Sequence, residues 1–185
     1  MSFLTGIELA SVLTGLVWII LLTRENIWCW PFGIISSFLS IYLFYEGKLY
    51  SEAIFYFYYV FIGIYGWYMW GSERKLKIRE WTFLPHLLIL SLGVLGTWGL
   101  GSYFGTTDAS RPYHDAASTS FSFLASYMEA QKIISGWVFW IVINAFSVWL
   151  YMDRGFHLYA GLMAVYFVLS VYGYINWRNK LGRGE

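Results

Sequence analysis

The sequence predicts an all-α integral membrane protein, with seven transmembrane helices arranged as two parallel three-helix repeats joined by a linker helix. Three observations lead there. The 185 residues are 58% hydrophobic and 23% aromatic but only 12% charged, against about 25% charged in ordinary soluble domains. Apolar runs of near-spanning length alternate with short polar breaks, and a helical span needs about 20 residues. Residues 8–70 also align without a gap with residues 115–177, an offset of 107. The same numbers narrow the function. A net charge of +1 leaves no basic footprint for nucleic acid. The single cysteine, Cys29, excludes an internal disulfide framework and a cysteine-rich metal site.

The elements follow in order. The first span runs from Phe3 to Thr23 and stops at Arg24-Glu25-Asn26. It has no basic leader and Glu8 interrupts it early, so it reads as a retained helix, not a cleaved signal. The second runs from Trp28 to Tyr45, with Pro31 near its start, and the third from Ser51 to Trp70. These three form the first repeat, residues 3–70. A basic loop, 72–80, carries Arg74, Lys75, Lys77 and Arg79. The linker helix spans 82–104. A polar loop then leads to the second repeat, 115–177, with spans from Asp115 to Ala130, Gly136 to Met152 and His157 to Trp177. Beyond it lies a basic tail with Arg178, Lys180 and Arg183.

The repeat rests on thirteen identities, among them Trp30 with Trp137, Tyr59 with Tyr166, Gly66 with Gly173 and Trp70 with Trp177. Composition alone yields matches between apolar segments. Aligned Trp, Tyr and Gly in one register over three spans favour duplication. Three spans per repeat and one between them make the halves parallel, an architecture of transporters with a site at the repeat interface.

Orientation follows from the basic residues. With the N-terminus outside, Arg24, Arg74, Lys75, Lys77, Arg79, Lys132, Arg178, Lys180 and Arg183 fall inside, and only Lys48, Arg111 and Arg154 outside. The chain is therefore expected in a bacterial cytoplasmic membrane, N-terminus out and C-terminus in. Glu8, Glu46, Glu52, Asp108, Asp115 and Asp153 then gather outside, with Glu8 and Asp115 heading the two repeats as an acidic mouth or gate.

Spacing selects the candidate binding residues. Trp137, Trp140 and Asn144 share one face of span 6. A mid-membrane amide facing lipid is costly, so Asn144 makes either a helix–helix hydrogen bond or a ligand contact. The two tryptophans on its stripe weigh toward the ligand. The equivalent stripe on span 2 carries Trp30, Gly33, Ser37 and Ser40. Span 3 aligns Glu52, Tyr56 and Tyr59, and span 7 carries Tyr166. Many Trp and Tyr form interfacial belts, but Tyr56, Tyr59, Trp140 and Tyr166 fall inside their spans. Rings with an acid at the rim suit a flat organic cation. Glu129 and Lys132, three residues apart, read as a helix-end ion pair, with a gate as the alternative. His114-Asp115 lacks a matching nucleophile, and there is no phosphate-binding loop and no zinc-binding HExxH pair. No metal, cofactor or enzymatic activity is expected.

Leu49-Tyr50, Tyr65-Gly66-Trp67-Tyr68, Pro112-Tyr113-His114-Asp115, and Trp137-Val138-Phe139-Trp140 leading to Asn144 resemble the PnuC-type vitamin transporters over nearly the whole chain. The resemblance implies a 3+1+3 fold of the SWEET kind, usually a homotrimer. It implies facilitated diffusion of a vitamin precursor, made one-way by a cytoplasmic kinase that phosphorylates it. Members carry nicotinamide riboside, thiamine (the PnuT branch) or riboflavin. Trp137, Trp140 and Asn144 map onto the binding face. Nicotinamide riboside members usually have Gln where this chain has Tyr56. The extra ring and Glu52 favour thiamine, with nicotinamide riboside as the alternative and a neutral nucleoside or sugar behind both.

Overall fold

The computed structural model describes residues 3–46, 50–72, 76–106, 111–153, 155 and 157–183. Of the charges that set the orientation, Lys48, Arg74, Lys75, Asp108 and Arg154 lie outside these residues. Among the described residues the chain forms seven helices: α1 (Phe3–Thr23), α2 (Cys29–Glu46), α3 (Tyr50–Gly71), α4 (Phe83–Phe104), α5 (Pro112–Ala130), α6 (Ser135–Asp153) and α7 (His157–Arg183). The apolar runs therefore locate every helix.

Four of them, α1, α4, α6 and α7, are long and apolar enough to cross a membrane. The expectation of seven such spans is met by these four on length and composition. The other three carry the serines and tyrosines that lower hydropathy, and they supply most of the cavity wall described below. Two boundaries differ from the prediction by more than one residue. Pro112 opens α5, because proline suits the first helical turn, where its missing N–H goes unused. The basic tail is not a tail: α7 continues through Arg178 and Lys180 to Arg183.

The packing is ordered. α1 lies on α2, α2 on α3, α5 on α6, and α6 on α7, while α3 meets α5 and α1 meets α7. Among the described residues α4 packs chiefly on α5, with His86 Nε2 2.8 Å from Ser135 Oγ of α6 and Phe104 edge-on to Phe55 of α3. Its outer face is a row of exposed leucines with Val94 and Trp98. Such a face is unfavourable in water and at home in lipid.

The core concentrates at one end of the bundle, around Trp30, Trp70, Trp137 and Trp177. Trp30 meets Trp70 edge-on with centroids 5.3 Å apart, and Trp137 meets Trp177 edge-on at 5.5 Å. The Trp30 ring lies where a Cβ on Gly66 would stand, and the Trp137 ring occupies the same place at Gly173. Each glycine thus admits an indole against the backbone of the neighbouring helix. Every one of these positions has its counterpart 107 residues away.

The turns after α1 and α5 match in the same way. Glu25 and Lys132 both take left-handed backbone, with φ of 60° and 53°. In each turn the two following N–H groups close back on the last helical carbonyls: Glu25 to Leu22 and Asn26 to Leu21, Lys132 to Glu129 and Ile133 to Met128. This is the Schellman ending, which usually uses glycine at the left-handed position. Here the two side chains meet as an ion pair, Lys132 Nζ with Glu25 Oε1, and Lys180 adds a second contact to Glu25 at 2.9 Å. The predicted Glu129–Lys132 pair is therefore corrected: the left-handed turn swings Lys132 away from α5, onto Glu25 and over the Trp70 ring at 4.7 Å.

The basic loop is also more than a solvated strip. Arg79 N–H donates to the Lys132 carbonyl at 3.0 Å, and Ile134 N–H donates to the Arg79 carbonyl at 3.1 Å. Ile78 is buried beside them. The loop is stitched to the α5–α6 turn.

Candidate functional site

Six helices wall a cavity of about 210 Å³ inside the bundle. Ligand pockets commonly run from about 300 to 1,000 Å³, so the space suits a solute of one or two rings. Helical spacing explains its lining. On α2, Trp30, Gly33 and Ser37 recur every three or four residues and face inward together; on α3, Tyr56, Tyr59 and Gly63 do the same. α6 contributes Trp140 and Asn144 one turn apart, and α7 contributes Tyr166. α1 adds Gly15, Trp18 and Ile19, and α5 adds Ser126 and Glu129.

Hydrogen bonds fix these walls. Asn144 Nδ2 donates to Ser170 Oγ at 3.1 Å, and that hydroxyl donates to the Tyr166 carbonyl at 2.7 Å. Asn144 thus joins α6 to α7 while lining the cavity. Ser36 Oγ donates to the Ser11 carbonyl at 2.9 Å, and Ser11 and Ser40 share a 2.9 Å hydroxyl contact, which ties α1 to α2. Ser37 and Ser126 donate to the carbonyls of Gly33 and Ser122, four residues back, both at 2.8 Å. Each hydroxyl proton is spent locally, and its oxygen remains able to accept.

Four buried polar atoms on the wall have no hydrogen-bond partner among the described residues: Trp30 Nε1, Trp140 Nε1 and both oxygens of Glu129. Trp140 Nε1 stands beside the Glu129 carboxylate without closing a bond to it. Buried polar groups are nearly always paired, and these four stand unpaired in residues that wall the cavity.

Of the residues proposed from spacing, Trp30, Ser37, Tyr56, Tyr59, Trp140, Asn144 and Tyr166 line this one cavity. Trp137 does not. It is fully buried between Gly173 and Trp177, so its place in the Trp-Trp-Asn stripe is a packing role. Glu52 falls in the first turn of α3, and its side chain lies outside the described residues. Glu8 is exposed on α1 and Asp115 sits in the first turn of α5; neither lines the cavity. Spacing missed Trp18, Ser126 and above all Glu129. The available signal was an ionisable residue inside a span, which is a functional position by default.

A second cavity, about 400 Å³, opens between α4, α5 and α6. Phe121, Phe139, Phe146 and Val142 wall it, and it offers no charged group.

A helical membrane bundle around a small ring-walled hole is the architecture of a carrier for a small organic solute. The chain belongs to the nicotinamide mononucleotide transporter family, whose profile matches residues 5–179. Nicotinamide riboside transporter PnuC of Escherichia coli (strain K12) is 24% identical over 208 residues, covering 96% of this chain and 87% of that one. PnuC of Neisseria mucosa is 28% identical, covering 95% and 73%. The riboflavin/roseoflavin transporter RibM of Streptomyces davaonensis is 22% identical, covering 92% and 83%. The crystal structure of the vitamin B3 transporter PnuC superposes with a TM-score of 0.78 at 25% identity, covering 98% of this chain and 84% of that one. The chain is thus an integral membrane transporter of the vitamin-carrying PnuC type and not an enzyme. His114, the residue on which an enzymatic reading would rest, stacks flat against Phe146 with centroids 5.9 Å apart.

Proposed function

We propose that this transporter is a uniporter for a flat, cationic vitamin precursor, with nicotinamide riboside as the first candidate. The carrying observation is the cavity: Trp30, Tyr56, Tyr59, Trp140 and Tyr166 surround a space for one or two rings, with Asn144 as a polar anchor. Aromatic faces attract cations by roughly 0.5–2 kcal/mol each. The relatives named above support nicotinamide riboside over thiamine, since the vitamins in their names are nicotinamide riboside, vitamin B3 and riboflavin. The case for thiamine rested on Tyr56 and Glu52; Tyr56 lines the cavity, and the Glu52 side chain lies outside the described residues.

In this reading α1–α3 and α5–α7 are repeats that rock against each other around the cavity, with α4 as linker. The matched Trp-Trp-Gly clusters and matched helix endings at an offset of 107 support it. So does the Glu25–Lys132 pair, because equivalent residues touch each other only near the axis that relates the two halves. The chain sits in the cytoplasmic membrane with its basic end inside, acts as a homotrimer, and delivers its solute to a cytoplasmic kinase that traps it by phosphorylation. Glu8 and Asp115 belong to the outer mouth.

Calorimetry on the purified protein with nicotinamide riboside, thiamine and riboflavin tests the substrate. Nicotinamide riboside is expected to bind most tightly; saturable binding of riboflavin alone would overturn the assignment.

A further inference from the structure

The proposed solute is cationic, and the deepest group on the cavity wall is an acid. Glu129 is 1% exposed. It is the single charged residue among the described residues lining the cavity. A buried carboxylate is costly unless a cation or a set of donors meets it. Neither does here. Its two oxygens have no hydrogen-bond partner among the described residues. Lys132, three residues along the chain, is engaged with Glu25 and lies over Trp70. The indole of Trp140 stands alongside and presents a neutral donor only.

We infer that Glu129 is the counter-ion of the transported solute, the residue that makes this cavity select cationic rings over neutral ones of the same shape. This rests on the proposed carrier function and adds the group that sets its specificity. The geometry divides the labour. Rings on α2, α3, α6 and α7 grip a flat solute by its faces and add a modest cation preference of their own. The carboxylate on α5 reads the sign of its charge. Glu129 stands in the cavity wall with both oxygens buried and unpaired among the described residues. A ring cation entering between Trp30 and Trp140 supplies the missing partner, and a neutral ring offers none. Charge selection is thus a difference in affinity set by that attraction.

The test uses purified full-length protein, with binding by calorimetry and uptake into vesicles measured side by side. The probes are nicotinamide riboside, a pyridinium cation, and its reduced dihydro form, nearly the same shape and neutral. Wild type is expected to bind the cation at least about tenfold more tightly than the neutral form, a difference of about 1.4 kcal/mol. Glu129→Gln is expected to lose most of that preference, the rings keeping the remainder, with neutral-form affinity changed less than about threefold. Glu129→Asp, which keeps the charge, is expected to retain most of it. Binding of the neutral form by Glu129→Gln shows that the variant is folded. An undiminished cation preference in Glu129→Gln would overturn the inference while leaving the carrier function intact. Equal wild-type affinity for both probes, or binding of neither, would overturn it outright. Loss of preference in Glu129→Gln without uptake by wild type would uphold the charge selection and overturn the carrier function.

Discussion

Trp137 and Trp140 stand three residues apart on α6 and do different work. Trp140 and Asn144 line the cavity, whereas Trp137 is sealed between Gly173 and Trp177. Alanine at 140 or 144 is expected to weaken binding of the transported vitamin tenfold or more, about 1.4 kcal/mol, with little change in melting temperature at 140 and a lower one at 144, where the buried hydrogen bond to Ser170 is lost. Calorimetry and thermal unfolding on the same samples check this. Gly173→Ala should do the reverse. Its new Cβ would lie 2.7 Å from the Trp137 ring, and overpacking of this kind costs roughly 1–3 kcal/mol. A lower melting temperature with unchanged affinity per folded molecule is the expected result. The distinction was not legible from spacing, because both tryptophans satisfy the same helical period. What separates them is the glycine on α7 that receives one and not the other.

At the scale of elements, the helices were legible and the turns were not. A membrane span announces itself as a long apolar run, because every polar backbone group must be paired within the helix. The turns depend on conformation. Glu129 and Lys132 look like a pair at three-residue spacing, but α5 ends at Ala130 and Lys132 adopts φ of 53°, so the partners part. The loop at 72–80 likewise shows only its basic charges in the sequence, yet Arg79 brackets the α5–α6 turn with two backbone hydrogen bonds. Hydrogen exchange tests that directly. The amides of Arg79 and Ile134 should exchange far more slowly than those of an open loop; exchange at unprotected rates would place the loop in solvent.

Across the whole molecule, a polar cavity lining and an apolar span oppose each other. α1, α4, α6 and α7 are apolar enough to cross a bilayer by composition, while α2, α3 and α5 carry much of the cavity's polar and aromatic lining. The cavity residues were legible in large part because α2, α3 and α6 each present theirs at helical spacing. Glu129 escaped because its meaning lies in what fails to meet it, and that is settled only by where Lys132 goes. A uniporter for a singly charged solute needs no coupling ion. An inside-negative potential of 100 mV supplies about 2.3 kcal/mol, roughly fifty-fold accumulation at equilibrium by the same tenfold per 1.4 kcal/mol.

The most direct measurement is uptake of labelled nicotinamide riboside into vesicles containing only this protein, with and without an inside-negative potassium diffusion potential. The expected result is saturable uptake that requires neither a sodium nor a proton gradient. It should rise several-fold when the potential is applied and collapse in Trp140→Ala. Uptake no greater than in protein-free vesicles, or uptake unaffected by Trp140→Ala, would contradict a ring-walled carrier.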